Sequence, residues 1–260
     1  MDVENKYGTL AIQQELLTLL KEFHACCVAN NVKYSLAYGS LLGAIRHKGF
    51  IPWDDDVDVI VTRNEFKKLQ KVMQNSSTFH WDYMTKTALW VGRVRMKNRE
   101  LTTTEIPPTI DVFIFDNVPD NVFLAKLKLL SILFAMGMVK GKPDLSRFKF
   151  VMKVAALLSW LFGRLLPSNI KYSLIEFLSE CCNLTESRNI SCYNTVFLYM
   201  GKIFSKSMMS GYDNIQFEDT TLSIMKGYDE FLTTTYGDYM TPPKEKVGHH
   251  LHPEFGPKYK

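Results

Sequence analysis

The chain has 260 residues, 46% of them hydrophobic and 22% charged, with a formal net charge of +4. That composition excludes a disordered chain and supplies enough apolar material for one large domain or two small ones. The mild basic balance favours an anionic substrate or an acidic membrane surface, and no nucleic-acid partner is expected.

Five cysteines include the adjacent pairs Cys26-Cys27 and Cys181-Cys182, with Cys192 apart. None has zinc-site spacing, and the odd number argues against a disulfide framework, so reduced thiols are expected. The first residues, Met1 to Lys6, lack a basic-then-apolar secretory pattern. A cytoplasmic location is the expectation, with a peripheral position at the inner face of the cell membrane as its variant.

Residues 8–31 predict a first helix. Leu10, Ile12, Leu16, Leu17, Leu19, Leu20, Phe23 and Val28 fall mainly on one stripe, and Asn30-Asn31 supplies a stop. This is a scaffold helix covering a sheet, and His24 on it reads as a satisfied polar residue rather than a ligand. Lys33 to Tyr38 then reads as a short strand ended by Gly39-Ser40. Leu41, Leu42 and Ile45 have helical spacing, so Ser40 could cap a helix whose N-terminal amides form an anion site suited to phosphate. Arg46 and Lys48 would add positive charge to the same place.

Asp54, Asp55, Asp56 and Asp58 follow, running into the β-branched segment Val57, Val59, Ile60, Val61. By strand alternation Asp54, Asp56 and Asp58 share one face and Asp55 points the other way. Carboxylates at this density repel one another unless a cation sits between them, and such hard oxygen donors suit Mg²⁺, Mn²⁺ or Ca²⁺ better than Zn²⁺. The plainer alternative is an acidic turn capping the next element.

From Gly39-Ser40 through Leu41-Leu42-Gly43-Ala44-Ile45-Arg46 to Gly49-Phe50-Ile51-Pro52-Trp53-Asp54-Asp55-Asp56-Val57-Asp58-Val59, the chain resembles the LicD family. That family includes bacterial phosphocholine transferases, with fukutin and fukutin-related protein as more distant relatives. The resemblance implies an α+β fold of the nucleotidyltransferase type seen in DNA polymerase beta. Its features are a Gly-Ser turn, an Asp-x-Asp strand and a third carboxylate on a later strand, in a mixed sheet with flanking helices.

A helix is predicted from Thr62 to about Gln74, capped by Thr62 or Asn64. Two strand-like runs come next, Thr78–Met84 and Trp90–Lys97. The second alternates apolar and basic residues, so Arg93, Arg95 and Lys97 would share a face and could hold nucleotide phosphates; a solvated strand face is the alternative. Thr109–Asp116 is apolar on both faces, where a lone carboxylate is costly. Asp111 is therefore the natural third metal ligand, and it also falls on the strand that matches the family's third carboxylate. Asp116 reads as turn chemistry at the strand exit.

From Val122 to about Glu180 the chain becomes strongly apolar, predicting two long helices that form an additional helical subdomain. Lysines interrupt both, so neither is expected to span a bilayer. The alternatives are packing on the sheet or lying on the inner membrane surface. A hairpin over residues 213–225 and a helix from Gly227 follow. The Phe217-Glu218-Asp219, Tyr236–Met240, Pro242-Pro243 and His249-His250 segments also resemble the family's C-terminal region. Three regions are expected: a catalytic core over residues 1–120, a helical insertion over 121–210, and a C-terminal part over 211–260 that completes the active site.

The expected chemistry is metal-dependent phosphoalcohol transfer with Mg²⁺ or Mn²⁺. Asp56, Asp58 and Asp111 are the catalytic ligands, with Asp54 as an outer or shared one. Gly39, Ser40, Arg46, Lys48, Arg93 and Arg95 would bind the donor. By resemblance the donor is a CDP-alcohol, CDP-choline first and CDP-ribitol as a variant, and the acceptor is a hydroxyl of a lipopolysaccharide, teichoic acid or lipid-linked glycan. Trp53, Trp81, Trp90, Tyr38 and Tyr83 are candidates for an aromatic box around choline. A nucleotide-sugar glycosyltransferase also uses Asp-x-Asp, but after a longer Rossmann-like half, and a metal-stabilised binding module is the non-enzymatic rival.

Overall fold

The structure is a computed structural model and describes residues 8–85, 90–97, 107–144, 146, 150–195 and 198–241. In chain order the elements are α1 (Leu10–Ala29), β1 (Ser35–Leu36), α2 (Tyr38–His47), β2 (Val57–Thr62), α3 (Arg63–Gln74), β3 (Phe79–Asp82), β4 (Gly92–Met96) and β5 (Ile110–Val118). Then come α4 (Val122–Val139), α5 (Phe150–Leu165), α6 (Ser168–Glu180), β6 (Asn189–Cys192), β7 (Phe204–Ser205), β8 (Tyr212–Phe217), β9 (Thr220–Met225) and α7 (Tyr228–Tyr236). The chain divides into two compact units, Ile114–Ser207 and the remainder on either side of it.

In the first unit the strand order is β1-β2-β5-β4-β3. β1 is antiparallel to β2, and β4 is antiparallel to both β3 and β5. The sheet is buried because its residues are β-branched on both faces: Val57, Val59, Ile60 and Val61 on β2 and Ile110 and Val112 on β5 are fully covered. α1 lays Leu16, Leu19, Leu20 and Phe23 into the same core. His24 Nδ1 lies 2.8 Å from the Tyr34 hydroxyl, which satisfies it as a polar residue.

The β8–β9 hairpin is tied to this core through Ser35, whose Oγ accepts from the Met225 amide at 2.8 Å. Its two-residue turn puts Glu218 at φ 51°, in the left-handed region.

In the second unit the C-terminal half of β5 pairs antiparallel with β6, and β6 with β7. Asp116 lies inside β5, fully buried, and accepts from Asn183 Nδ2. The sequence put it in a turn because Asp-Asn is turn chemistry, but the strand continues to Val118. Three helices follow rather than two, since Pro167 starts a separate α6. α4 is 18 residues long with mean hydropathy 2.0, long and apolar enough by length and composition to cross a membrane. The lysine count argued against that, yet Lys128 is buried and donates to Asn117 O and Ser179 O at 2.8 and 2.7 Å.

The Pro242-Pro243 and His249-His250 segments lie outside the described residues. All five cysteines are thiols.

Gly43 is where α2 touches the loop leading to the aspartates: a Cβ there would stand 2.5 Å from the Gly49 carbonyl oxygen and 3.2 Å from the Ile51 nitrogen. Both are backbone atoms, which cannot rotate aside. Gly43→Ala is therefore expected to destabilise by about 1–3 kcal/mol through overpacking. Thermal denaturation measures it; an unchanged midpoint would mean that the loop moves without penalty.

Candidate active site

The acidic cluster is positioned by contacts from distant parts of the chain. Asp58 is the second residue of β2; its amide donates to Ser40 Oγ and its carbonyl accepts from Ala37 N, both at 2.9 Å. Ser40 thus ties α2 to β2. It is not the helix cap: Ala37 holds that position and the helix begins at Tyr38. The Gly39 amide lies near enough to the Asp58 carboxyl to lower its pKa, so the helix N-terminus faces an acid of the cluster.

Gly39 is also close to Asp54, whose Oδ2 would lie 2.9 Å from a Cβ added there. Tyr38 enters the helix at φ 42°, a conformation that is strained for a tyrosine. Edge-on packing of its ring against Phe113 and Phe231, at 4.9 and 5.2 Å between centroids, holds it there.

The loop carrying Asp54 is clamped from α1. Gln13 Nε2 donates to the carbonyls of Ile51 and Asp54 at 3.0 and 2.8 Å, and Thr9 Oγ1 donates to Pro52 O at 2.7 Å. The hairpin turn holds its other end: the Glu218 amide donates to Lys48 O at 2.7 Å, and Glu218 Oε1 accepts from Phe50 N at 2.9 Å. Gln13 and Thr9 carried no sequence signal, since each acts on a loop 38 or more residues away. Glu218 lies in the Phe217-Glu218-Asp219 segment that carries part of the resemblance, but its contact with Phe50 has no local pattern.

Three of the carboxylates, Asp54, Asp56 and Asp58, are raised in part by the charge of neighbouring carboxylates. Burial first, then the charges of Asp54, Asp111 and Asp55, push the Asp56 carboxyl well above the usual range. Asp58 moves the same way, from burial and then Asp56, Asp111 and Asp54, offset in part by the Gly39 amide. Asp54 is pushed up to about 7 by burial and by Asp55. Asp56 still presents surface to solvent, so crowding of negative charge is the part of its shift that a bound cation would remove.

Asp111 stands directly opposite Arg93 in the β4–β5 ladder, and Arg93 Nε reaches its Oδ1 at 3.2 Å. Burial raises the Asp111 carboxyl, and the guanidinium offsets part of that rise.

The sequence oriented Asp55 away from the others. Its carboxylate in fact joins those of Asp54 and Asp56, with one oxygen from each lying within 4.8 Å of the other two. The reason is that β2 begins at Val57, so strand alternation does not govern residues 54–56. This donor set fits a hard divalent cation: several anionic oxygens, no sulfur or imidazole among them, and mutual repulsion that only positive charge relieves.

The expected cations are not gathered at one point. Arg46 and Lys48 sit at the C-terminal end of α2, and the nine steps from Gly39 to Lys48 amount to ~13 Å at roughly 1.5 Å each. They do not join Gly39 and Ser40 around one anion. Arg46 Nη1 donates instead to Tyr239 O at 3.1 Å. Arg95 is engaged by Asp82 and Lys97 donates to Ser76 O, which leaves Arg93 as the member of that row facing the cluster. Among the candidate box aromatics, Tyr38 and Trp90 are buried in the core, while Trp81 and Tyr83 pack with Phe66.

The sequence model for "LicD/FKTN/FKRP, nucleotidyltransferase domain" matches residues 31–127, a span that holds all of these acids. Lipopolysaccharide cholinephosphotransferase LicD of Haemophilus influenzae is 30% identical over 271 aligned residues, covering 94% of this chain and 96% of that protein. An uncharacterized protein of Rickettsia prowazekii is 41% identical over 58 residues, 22% of each chain. One from Rickettsia typhi is 29% identical over 106 residues, 41% of this chain and 30% of that protein.

Acids whose folded pKa lies above the unfolded value of ~3.8–3.9 bind more protons in the native state, so the stability of metal-free protein falls as pH rises through that window. With Asp54 at about 7, the melting midpoint in chelator is expected to drop between pH 5.5 and 8. Adding Mg²⁺ or Mn²⁺ at pH 8 should restore it. Asp56→Asn should raise the chelator midpoint by a few degrees and flatten the slope. A midpoint indifferent to pH and to metal would contradict this account.

Proposed function

The chain belongs to the LicD family, and from that premise we propose that it is a metal-dependent transferase. It moves a phosphoalcohol, phosphocholine from CDP-choline, onto a hydroxyl of a bacterial surface glycan and releases CMP. Support comes from the likeness to the Haemophilus cholinephosphotransferase over nearly the full length of both chains. The observation that carries the chemistry is the convergence of Asp56 and Asp58 with Asp111 from the neighbouring strand. We read the sheet as a nucleotidyltransferase fold on the same ground, with residues 114–207 as an appended helical unit.

Asp56, Asp58 and Asp111, joined by Asp54 or Asp55, would hold Mg²⁺ or Mn²⁺. When bound, such ions lower the pKa of the acceptor hydroxyl and neutralise charge on the departing CMP. The hydroxyl oxygen attacks the β-phosphorus in line, the bond to the bridging oxygen breaks, and CMP leaves with that oxygen. The hydroxyl proton passes to a carboxylate of the set. Arg93 fixes the orientation of Asp111, and Ser40 and the Gly39 amide fix Asp58. Their contribution is to hold the oxygens ready before the donor arrives.

The test is a donor panel of CDP-choline, CDP-ribitol and UDP-sugars with Mg²⁺ or Mn²⁺, scored for CMP release and for mass gained by the acceptor. Transfer of a phosphoalcohol with CMP as co-product is expected. Sugar transfer would instead favour the glycosyltransferase reading. Asp58→Asn and Asp111→Asn should each lower kcat by about 10³-fold, the several kcal/mol that metal stabilisation of the transition state supplies. If folded Asp58→Asn is as active as the wild type, the proposed centre is wrong.

A further inference from the structure

Within residues 114–207 the helices α4 and α5 pack the wrong way round for water. Their contact is made by the smallest side chains: a Cβ on Gly137 would lie 2.2 Å from Ser159 Oγ, and one on Gly163 would lie 2.3 Å from Met138 O. Ser159 Oγ donates across the contact to Phe134 O at 2.6 Å. In α5 only Ser159 and Gly163 are buried. Apart from Ile132 and Met136, which α4 buries, most of the large apolar groups point outward instead. Phe123 is 74% exposed and Leu130 63% on α4, and Phe150, Val151 and Leu165 are 79%, 77% and 78% exposed on α5.

A helix pair in water buries its largest apolar side chains; a pair in lipid has no reason to, and uses small residues to bring the backbones together. On α4, Phe123, Leu127 and Leu130 recur at i, i+4 and i+7, one stripe down the outside.

Charge selects the occupant of this surface. Residues 122–165 carry eight of the chain's 31 lysines and arginines and one of its 27 acids, Asp144, so the rest of the chain is net acidic. Lys126, Lys142 and Arg164 are exposed beside the apolar stripes, and Arg164 lies over the Trp160 ring at 5.2 Å. A second copy presenting the same surface would bring like charges together. An anionic lipid surface offers both an apolar phase and the opposite charge.

We infer that the α4–α5 hairpin is a membrane-docking element, seated at the headgroup–acyl boundary of an anionic bilayer with the exposed Lys126, Lys142 and Arg164 at phosphate level. The inference is independent of the transfer reaction, and its failure would leave that reading standing.

Flotation of the full chain with vesicles tests it. Binding is expected to phosphatidylglycerol-containing vesicles, reduced at least tenfold on pure phosphatidylcholine and weakened by high salt. A variant with Phe123→Gln, Leu130→Gln, Phe150→Gln and Val151→Gln should stay in solution while keeping its circular dichroism spectrum and melting midpoint. Lys126→Glu with Lys142→Glu should lose the preference for anionic vesicles. Failure of the wild type to float with either vesicle overturns the inference, as does equal binding to both at any salt. So does a stable dimer, seen by light scattering, that the four-glutamine variant dissociates.

Discussion

Mutual repulsion among Asp54, Asp55, Asp56, Asp58 and Asp111 is the constraint on which the first unit turns. Without a cation, each of these acids would be better placed in water, and the fold must hold them together against that preference. The holding contacts are correspondingly specific. Ser40 and Ala37 fix the backbone of Asp58, Gln13 and Thr9 fix the loop of Asp54, and Arg93 faces Asp111 across the ladder. Removing any one would let a carboxylate swing outward, which is the direction in which its own charge already drives it.

The parts legible in the sequence were those governed by local rules. An acid in a strand that is apolar on both faces is expensive, and that argument alone singled out Asp111. The alternation of β4, the hairpin over residues 213–225 and the stripe of α1 follow from periodicity, and the structure contains each of them. The Asp55 orientation failed because alternation was extended into a segment that is not yet strand. The grouping of Arg46 and Lys48 with Gly39 failed because neighbours in sequence lie at opposite ends of a helix.

Least legible were the contacts that groups make at long range. Glu218 reaches Phe50 from 168 positions away, and its left-handed backbone is what aims it there. The Phe217-Glu218-Asp219 segment is marked by resemblance alone, and nothing in its local pattern gives the contact with Phe50. The same holds for Lys128, whose burial against two carbonyls turns a residue counted as a polar interruption into an internal strut.

The charge count at the site bears on how many ions it can take. Asp54, Asp55, Asp56, Asp58 and Asp111 set five negative charges against one guanidinium, Arg93, among these six groups. The four that remain equal the charge of two divalent cations, and one ion would leave two negative charges uncompensated. Arg93 therefore has an upper limit on its usefulness. Close enough to orient Asp111 it steadies the site, but a second cationic side chain at the same distance would compete with any bound divalent ion for the same oxygens. That the neighbouring basic residues Arg95 and Lys97 are engaged by Asp82 and by Ser76 O keeps them out of that competition. A strand with three cations in a row can in this way border an acidic centre without neutralising it.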